Sequence, residues 1–328
     1  MAESGCKMTE PVGGYFSLEL PLVEEYHKDA LRLNTGRNCL EYILRSRGYK
    51  KVYLPFYICS VVLEPFEKLG VQYVFYHVDE RLELKDNLSV KAGEALLYVN
   101  YFGLKQRYVE HLARLYGTSL IIDNTQAFYA KPVTGIDTFY SCRKFFGVPD
   151  GAYLYTEKTL GVELEQDESY DRMSHLLRRI DQGAESGYDD FRKNDDRLSG
   201  QSVLRMSRLT HRLMRGIDYE GVACRRRANY RLLEKELGES NNIVLDLEDD
   251  AVPMIYPYLA SIKGVRERLI AEKVFVACYW PDVLDWVDGS SLEYCLASQM
   301  LPLPIDQRYG KETMNGVVKE LNDLKCKG

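Results

Sequence analysis

Short apolar runs recur through the first half of the chain with amphipathic stretches between them, the pattern of buried strands joined by helical crossovers. On that pattern strands fall at 51–55 (KVYLP), 71–78 (VQYVFYHV), 94–102 (EALLYVNYF), 118–123 (TSLIID), 136–141 (IDTFYS) and 152–156 (AYLYT). Helices lie between them: RNCLEYILRSRG from Arg37, SVVLEPFEKLG ending at Gly70, and KQRYVEHLARLYG ending at Gly117. Each closes on a glycine, which a left-handed helix stop favours, and Pro65 predicts a kink inside the second. From about residue 167 the pattern turns to long charged helical stretches, DESYDRMSHLLRRI and QSVLRMSRLTHRLMRGIDYEGVACRRRANYRLLEKELG. The remainder predicts strands near VPMIYPYLA and VFVACYW and helices over GVRERLIAEK and KETMNGVVKELNDL, a smaller α+β domain. The expected organisation is an N-terminal segment over 1–30, a large α/β domain with a mainly parallel sheet over 31–205, and a small domain over 206–328.

Composition narrows the class. At 328 residues, and roughly 150 per domain, about two domains fit. A hydrophobic fraction of 45% with 28% charged residues is that of an ordinary globular chain. The net charge of -6 lacks the basic excess that a nucleic-acid partner leaves as its footprint, so no such partner is expected. No run approaches the roughly 18 apolar residues of a spanning helix, and the opening MAESGCKMTEPVGG lacks the order of a secretory signal. The expectation is a cytoplasmic protein without a membrane partner. Eight cysteines are scattered without a C-x-x-C pair, and the five histidines are far apart; reduced thiols, most of them in the core, and no metal site are expected.

In an open parallel sheet, ligands bind beyond the carboxyl ends of the strands, which singles out residues 55–59, 100–103, 123–126 and 141–144. Asp123 directly follows the apolar SLII, and Lys144 comes 21 residues later, after one further strand. A lysine and a carboxylate at neighbouring strand ends meet the needs of pyridoxal phosphate (PLP): an amine for the Schiff base and an anion that keeps the pyridine nitrogen protonated. The phosphate needs a helix N-terminus with free amides, which Thr35-Gly36-Arg37 at the start of the first helix supplies, with the Ser141 hydroxyl as a further donor. Taken singly, an aspartate at a strand end also reads as a cap and a loop lysine as solvated, so spacing leaves both readings open.

The local sequence goes further. The block from Asp137 to Gly151, DTFYSCRKFFGVPDG, resembles the Schiff-base-lysine segment of the DegT/DnrJ family of sugar aminotransferases, which are fold type I PLP enzymes. The resemblance runs upstream through IIDNTQA at 121–127, Tyr98 to Gly103, the Pro55 segment and Thr35-Gly36-Arg37, covering about residues 30 to 160. It implies a three-layer αβα large domain with a smaller C-terminal domain, PLP as cofactor and a homodimer. It implies further that Lys144 carries the cofactor and moves the proton, that Asp123 pairs with the pyridine nitrogen and that Gln126 holds the ring hydroxyl side. Ser141, Thr35, Gly36 and the neighbouring Arg37 would hold the phosphate, and Asn194 would reach a phosphate in the partner subunit.

Two departures stand out. Where the family has an aromatic stacked on the ring, this chain has Cys59, with Tyr57 nearby, and the chain is shorter than most such enzymes. Phe145 and Phe146 read as packing residues, Gly147 and Gly151 as turn residues, Tyr279-Trp280-Pro281 as a packed strand end, and Arg225-Arg226-Arg227 as solvated faces and ion pairs. The implied activity is transfer of an amino group from glutamate or glutamine to a keto, nucleotide-linked sugar, in polysaccharide or amino-sugar biosynthesis. The alternatives are another PLP reaction such as sugar dehydration, in which the family replaces the lysine that Lys144 retains here, and a non-catalytic binding homologue. No G-x-G-x-x-G follows an expected strand, which argues against a nucleotide-cofactor oxidoreductase.

Overall fold

A computed structural model describes residues 12–259 and 264–326; Cys6 and the beginning of the expected N-terminal segment lie outside them. The first half lays down β1 (Leu31–Leu33), α1 (Gly36–Arg47), β2 (Lys51–Pro55), α2 (Glu64–Leu69), β3 (Gln72–Tyr76), β4 (Glu94–Val99), α3 (Gln106–Tyr116), β5 (Leu120–Asp123), β6 (Asp137–Ser141) and β7 (Ala152–Tyr155). They build one seven-stranded sheet in the order β1-β7-β6-β5-β4-β2-β3. Strands β2 to β6 run parallel, while β7 and β1 add an antiparallel edge. Every residue of β5 and Ala95 to Val99 of β4 is buried, as befits parallel strands covered by helices on both faces.

Local signals explain where the helices begin and end. Thr35 caps α1, its hydroxyl accepting the Asn38 amide at 3.1 Å, and Gly48 (φ +66°) stops it in the left-handed conformation. A Cβ on Gly36 would lie 3.2 Å from Thr125 Cγ2, so the glycine lets the start of α1 approach the end of β5. Two expectations change here. Gly117 ends α3 with φ +50° and ψ −136°, outside the left-handed helical region, because a 3-10 turn follows directly. Pro65 does not kink a helix: the expected segment is a 3-10 turn at Ser60–Val62 and then α2, where proline occupies the first turn and its missing N–H costs nothing.

The second half contains α4 (Ser174–Asp181), α5 (Tyr188–Arg197), α6 (Arg208–Met214), α7 (Tyr219–Leu237), β8 (Ile255–Tyr258), α8 (Val265–Ala271), α9 (Val283–Trp286), α10 (Leu292–Gln299), β9 (Leu301–Pro304) and α11 (Lys311–Cys326). The long charged stretch from Gln201 is not one helix. Residues 201–207 are irregular and bridge Arg205 to Leu33, and Asp218 restarts the helix by accepting the Gly221 amide at 2.9 Å. Strands β8 and β9 form a two-stranded antiparallel sheet. The strand expected at VFVACYW does not form: positive φ at Lys273 (+62°) and Trp280 (+63°) turns the chain at both ends of that run. Arg226 is also corrected. It is 2% exposed, with its guanidinium donating to Met254 O at 2.9 Å and lying over the Phe145 ring at 4.5 Å. Of the six described free cysteines, Cys39 and Cys142 are buried, Cys59 and Cys295 are half-buried against the core, and Cys224 and Cys278 are exposed. Among the described residues no helix is long and apolar enough to cross a membrane.

Candidate active site

The parallel register of β5 and β6 pairs Asp123 with Phe139, so both strands deliver their last residues, Asp123 and Ser141, to one edge of the sheet. Beyond β6 the chain turns tightly, with the Phe145 and Phe146 amides both donating to Cys142 O at 3.1 and 3.0 Å. That turn buries both phenylalanines and leaves Lys144 exposed to a cavity of about 320 Å3. The cavity wall contains Thr35, Gly36, Arg37, Cys59, Asp123, Gln126, Ser141 and Lys144, eight of the expected site residues gathered from four chain segments.

Lys144 forms no hydrogen bond or ion pair within the described residues. Asp123 is 4% exposed and accepts the Thr125 amide at 2.8 Å. Burial pushes its carboxyl above the usual range, while the Thr125 hydrogen bonds and the charge of Lys144 pull it part of the way back. No ion pair reaches Asp123 among the described residues. The Gln126 carbonyl oxygen accepts the Phe102 amide at 3.1 Å, which leaves its Nε2 hydrogens for the cavity.

At the start of α1, the amides of Gly36 and Arg37 have no backbone partner among the described residues, as the first turn of a helix requires. The Thr35 hydroxyl is engaged in its cap, also bonding Asn38 Oδ1, so at this helix start the groups without a partner among the described residues are the amides of Gly36 and Arg37. Arg37 is held by Glu64 at 2.7 Å and Ser199 at 3.0 Å.

Two expected residues stand elsewhere. Tyr57 is fully buried and stacks on Tyr101 at 5.7 Å, so Ile58 and Cys59 rather than Tyr57 face the cavity. Asn194 is also buried; its Nδ2 donates to Pro149 O at 2.8 Å and fastens α5 to the segment after Lys144, while Asp195 and Asp196 reach the wall instead. Arg143, inside the singled-out 141–144 range but given no role there, lines the cavity and pairs with Asp195 at 2.5 Å, and sequence reasoning missed Trp280, read as a packed strand end but standing in the wall. Adjacency to Lys144 was the available signal for Arg143. Only tertiary structure brings in Trp280.

No protein-family model matches the sequence, and no curated protein matches it. Solved structures do. An aminotransferase described as DegT DnrJ EryC1 StrS, from Brucella abortus, is 15% identical, with a TM-score of 0.60 over 90% of this chain and 85% of its own. The sugar aminotransferase CalS13 from Micromonospora echinospora is 14% identical, with a TM-score of 0.61 over 90% and 87%. Spr1654 from Streptococcus pneumoniae, in its PLP form, is 12% identical, with a TM-score of 0.65 over 91% and 87%. The chain has the sugar-aminotransferase fold. In that fold the mostly parallel seven-stranded sheet and its flanking helices carry the cavity at the carboxyl ends of the strands.

Proposed function

We propose that the protein is a PLP-dependent aminotransferase that moves an amino group from glutamate or glutamine to the keto group of a nucleotide-linked sugar, working as a homodimer. The observation that carries this is the pairing, in one cavity, of an unpartnered lysine with a buried carboxylate that has no ion pair among the described residues. A buried carboxylate of that kind fits a cationic N–H donor, and the pyridinium of PLP is one. The amides opening α1 fit the phosphate, and Gln126 Nε2 fits the ring hydroxyl side. When bound, PLP supplies a protonated ring that draws electrons from the substrate carbon as it loses its proton.

Lys144 would hold the cofactor through Nζ and, once displaced by the donor amine, carry the proton to and from the reacting carbon. Asp123 would keep the pyridine nitrogen protonated. A second cavity of about 550 Å3 meets the first at Arg143 and Lys144 and is lined also by Arg179, Arg226 and Arg308 together with Tyr188 and Phe191. Arg308 there is committed to Asp306 at 2.7 and 2.8 Å, Arg143 to Asp195 at 2.5 Å and Arg226 to backbone carbonyls, so it is Arg179, with no ion pair among the described residues, that beside Tyr188 and Phe191 favours an anionic substrate with a flat apolar part. The test is the absorption spectrum of the purified protein with PLP: addition of glutamate shifts the cofactor band, and the steady-state kinetics are ping-pong. A band that glutamate leaves unmoved would favour a different PLP reaction.

A further inference from the structure

The cavity wall carries two aromatic rings, and they come from opposite parts of the chain. Phe139 of β6 lies beneath Gly36, at the end where α1 opens. Trp280 comes from the turn between α8 and α9 and shares the wall with Ile58 and Cys59. Its backbone φ of +63° is one that a bulky side chain rarely adopts and that persists only where the surroundings enforce it.

The turn is held partly through the segment after β4, where Tyr101 lies against the indole at 6.3 Å and Phe102 stacks on Tyr279 at 6.3 Å, and partly through the loop after β2 and its neighbouring strand. The indole meets Tyr57 edge-on at 4.6 Å and 67°. The Ser60 hydroxyl donates to Asp282 at 2.5 Å, and Trp286 stacks on Phe75 at 5.2 Å and 27°. Contacts therefore lie on both sides of Cys59 in sequence, the position whose side chain is too small to present a flat face. The buried Tyr57 packs against both Tyr101 and Trp280 rather than lining the cavity.

We infer that Trp280 is a cofactor-contacting residue: its indole forms the aromatic wall that Cys59 does not provide, and the turn carrying it must dock on the β2 loop for the cofactor ring to be held. This rests on the PLP reading above and adds a residue and a coupling to it. A flat aromatic against a heteroaromatic ring is worth about tenfold in affinity.

The test uses the full chain and its W280F, W280L and W280L/C59F variants, with the dissociation constant for PLP from equilibrium dialysis and the induced circular dichroism of the cofactor band. Leucine keeps apolar bulk against Tyr57 but removes the flat face. W280L is expected to weaken PLP about tenfold and to lose most of the induced signal, W280F to weaken it about threefold, and W280L/C59F to recover affinity by supplying the ring from the other side. Affinity and dichroism of W280L within twofold of the unmodified protein, with borohydride still fixing the cofactor on Lys144, would overturn this inference and leave the aminotransferase reading standing. Failure of the unmodified protein to retain PLP at all would overturn both.

Discussion

Asp123 and Asp137 stand at opposite ends of neighbouring strands and are almost equally hidden, 4% and 1% exposed, yet the chain treats them differently. Asp137, at the start of β6, is gripped by Arg47 at 2.7 and 2.8 Å and accepts the Thr156 hydroxyl at 2.8 Å. Asp123, at the end of β5, has Thr125 beside it and no ion pair among the described residues. A buried charge is costly unless paired. At one end of the sheet the pairing is complete within the chain. At the other it is left open, beside a lysine that is equally free, and that asymmetry marks the cavity end as the working end.

The sharpest way to break the comparison is to remove the free amine. Lys144→Ala is expected to lower transamination by about a thousandfold or more, because the covalent attachment and the proton carrier disappear together; a coupled assay of glutamate consumption measures it. The two aspartates should then respond in opposite senses. Asp137→Asn strands the Arg47 guanidinium and is expected to cost about 3 to 5 kcal/mol of stability, read from urea unfolding, while the folded fraction keeps its PLP affinity.

Asp123→Asn should instead raise the Tm of the cofactor-free protein at neutral pH, by roughly 2 °C, while activity falls about a hundredfold. The sign follows from its raised pKa: ionising Asp123 is harder in the folded chain, so its contribution to stability is fully present below the ordinary carboxylate value of 3.8 and lost as pH rises through the folded value. Asparagine removes that loss. A lowered Tm for Asp123→Asn would mean that the carboxylate is paired after all and would erase the contrast.

The smallest effect concerns a third buried carboxylate. Asp150, just before β7, bonds Arg172 at 2.8 Å, but Asp167 shares the same guanidinium at 2.6 Å. Burial, helped by the neighbouring Asp167, pushes Asp150 up from 3.8 to about 7. Its stabilising proton is therefore held by the folded chain and not the unfolded one between those two values, and stability declines as pH rises across that window. Asp150→Asn should flatten the decline, measured as Tm against pH, without altering PLP binding.

Much of this was legible in the residues. The β2 strand runs over KVYLP as its apolar pattern implied, and the alternation of strands and helices placed Asp123 and Lys144 at adjacent strand ends. Elements that depend on distant partners were not legible. The three-residue β1 exists because β7 pairs with it, and β9 reads LPLP, whose two prolines disguise a strand that only β8 makes possible. VFVACYW has a strand-like composition but no strand to pair with. After Pro55 the chain leaves its strand, so period-two counting could not tell whether Tyr57 or Cys59 faces the cavity. Trp280 and the buried Arg226 belong to the same class, since their surroundings come from segments far away in the chain.

The central claim is that Lys144 is the residue that takes up the cofactor. Incubation with PLP, reduction with borohydride and peptide mapping of the digest test it directly. The account predicts a single pyridoxyl group on the lysine between Arg143 and Phe145; a pyridoxyl group on any other lysine, or none at all, would contradict it.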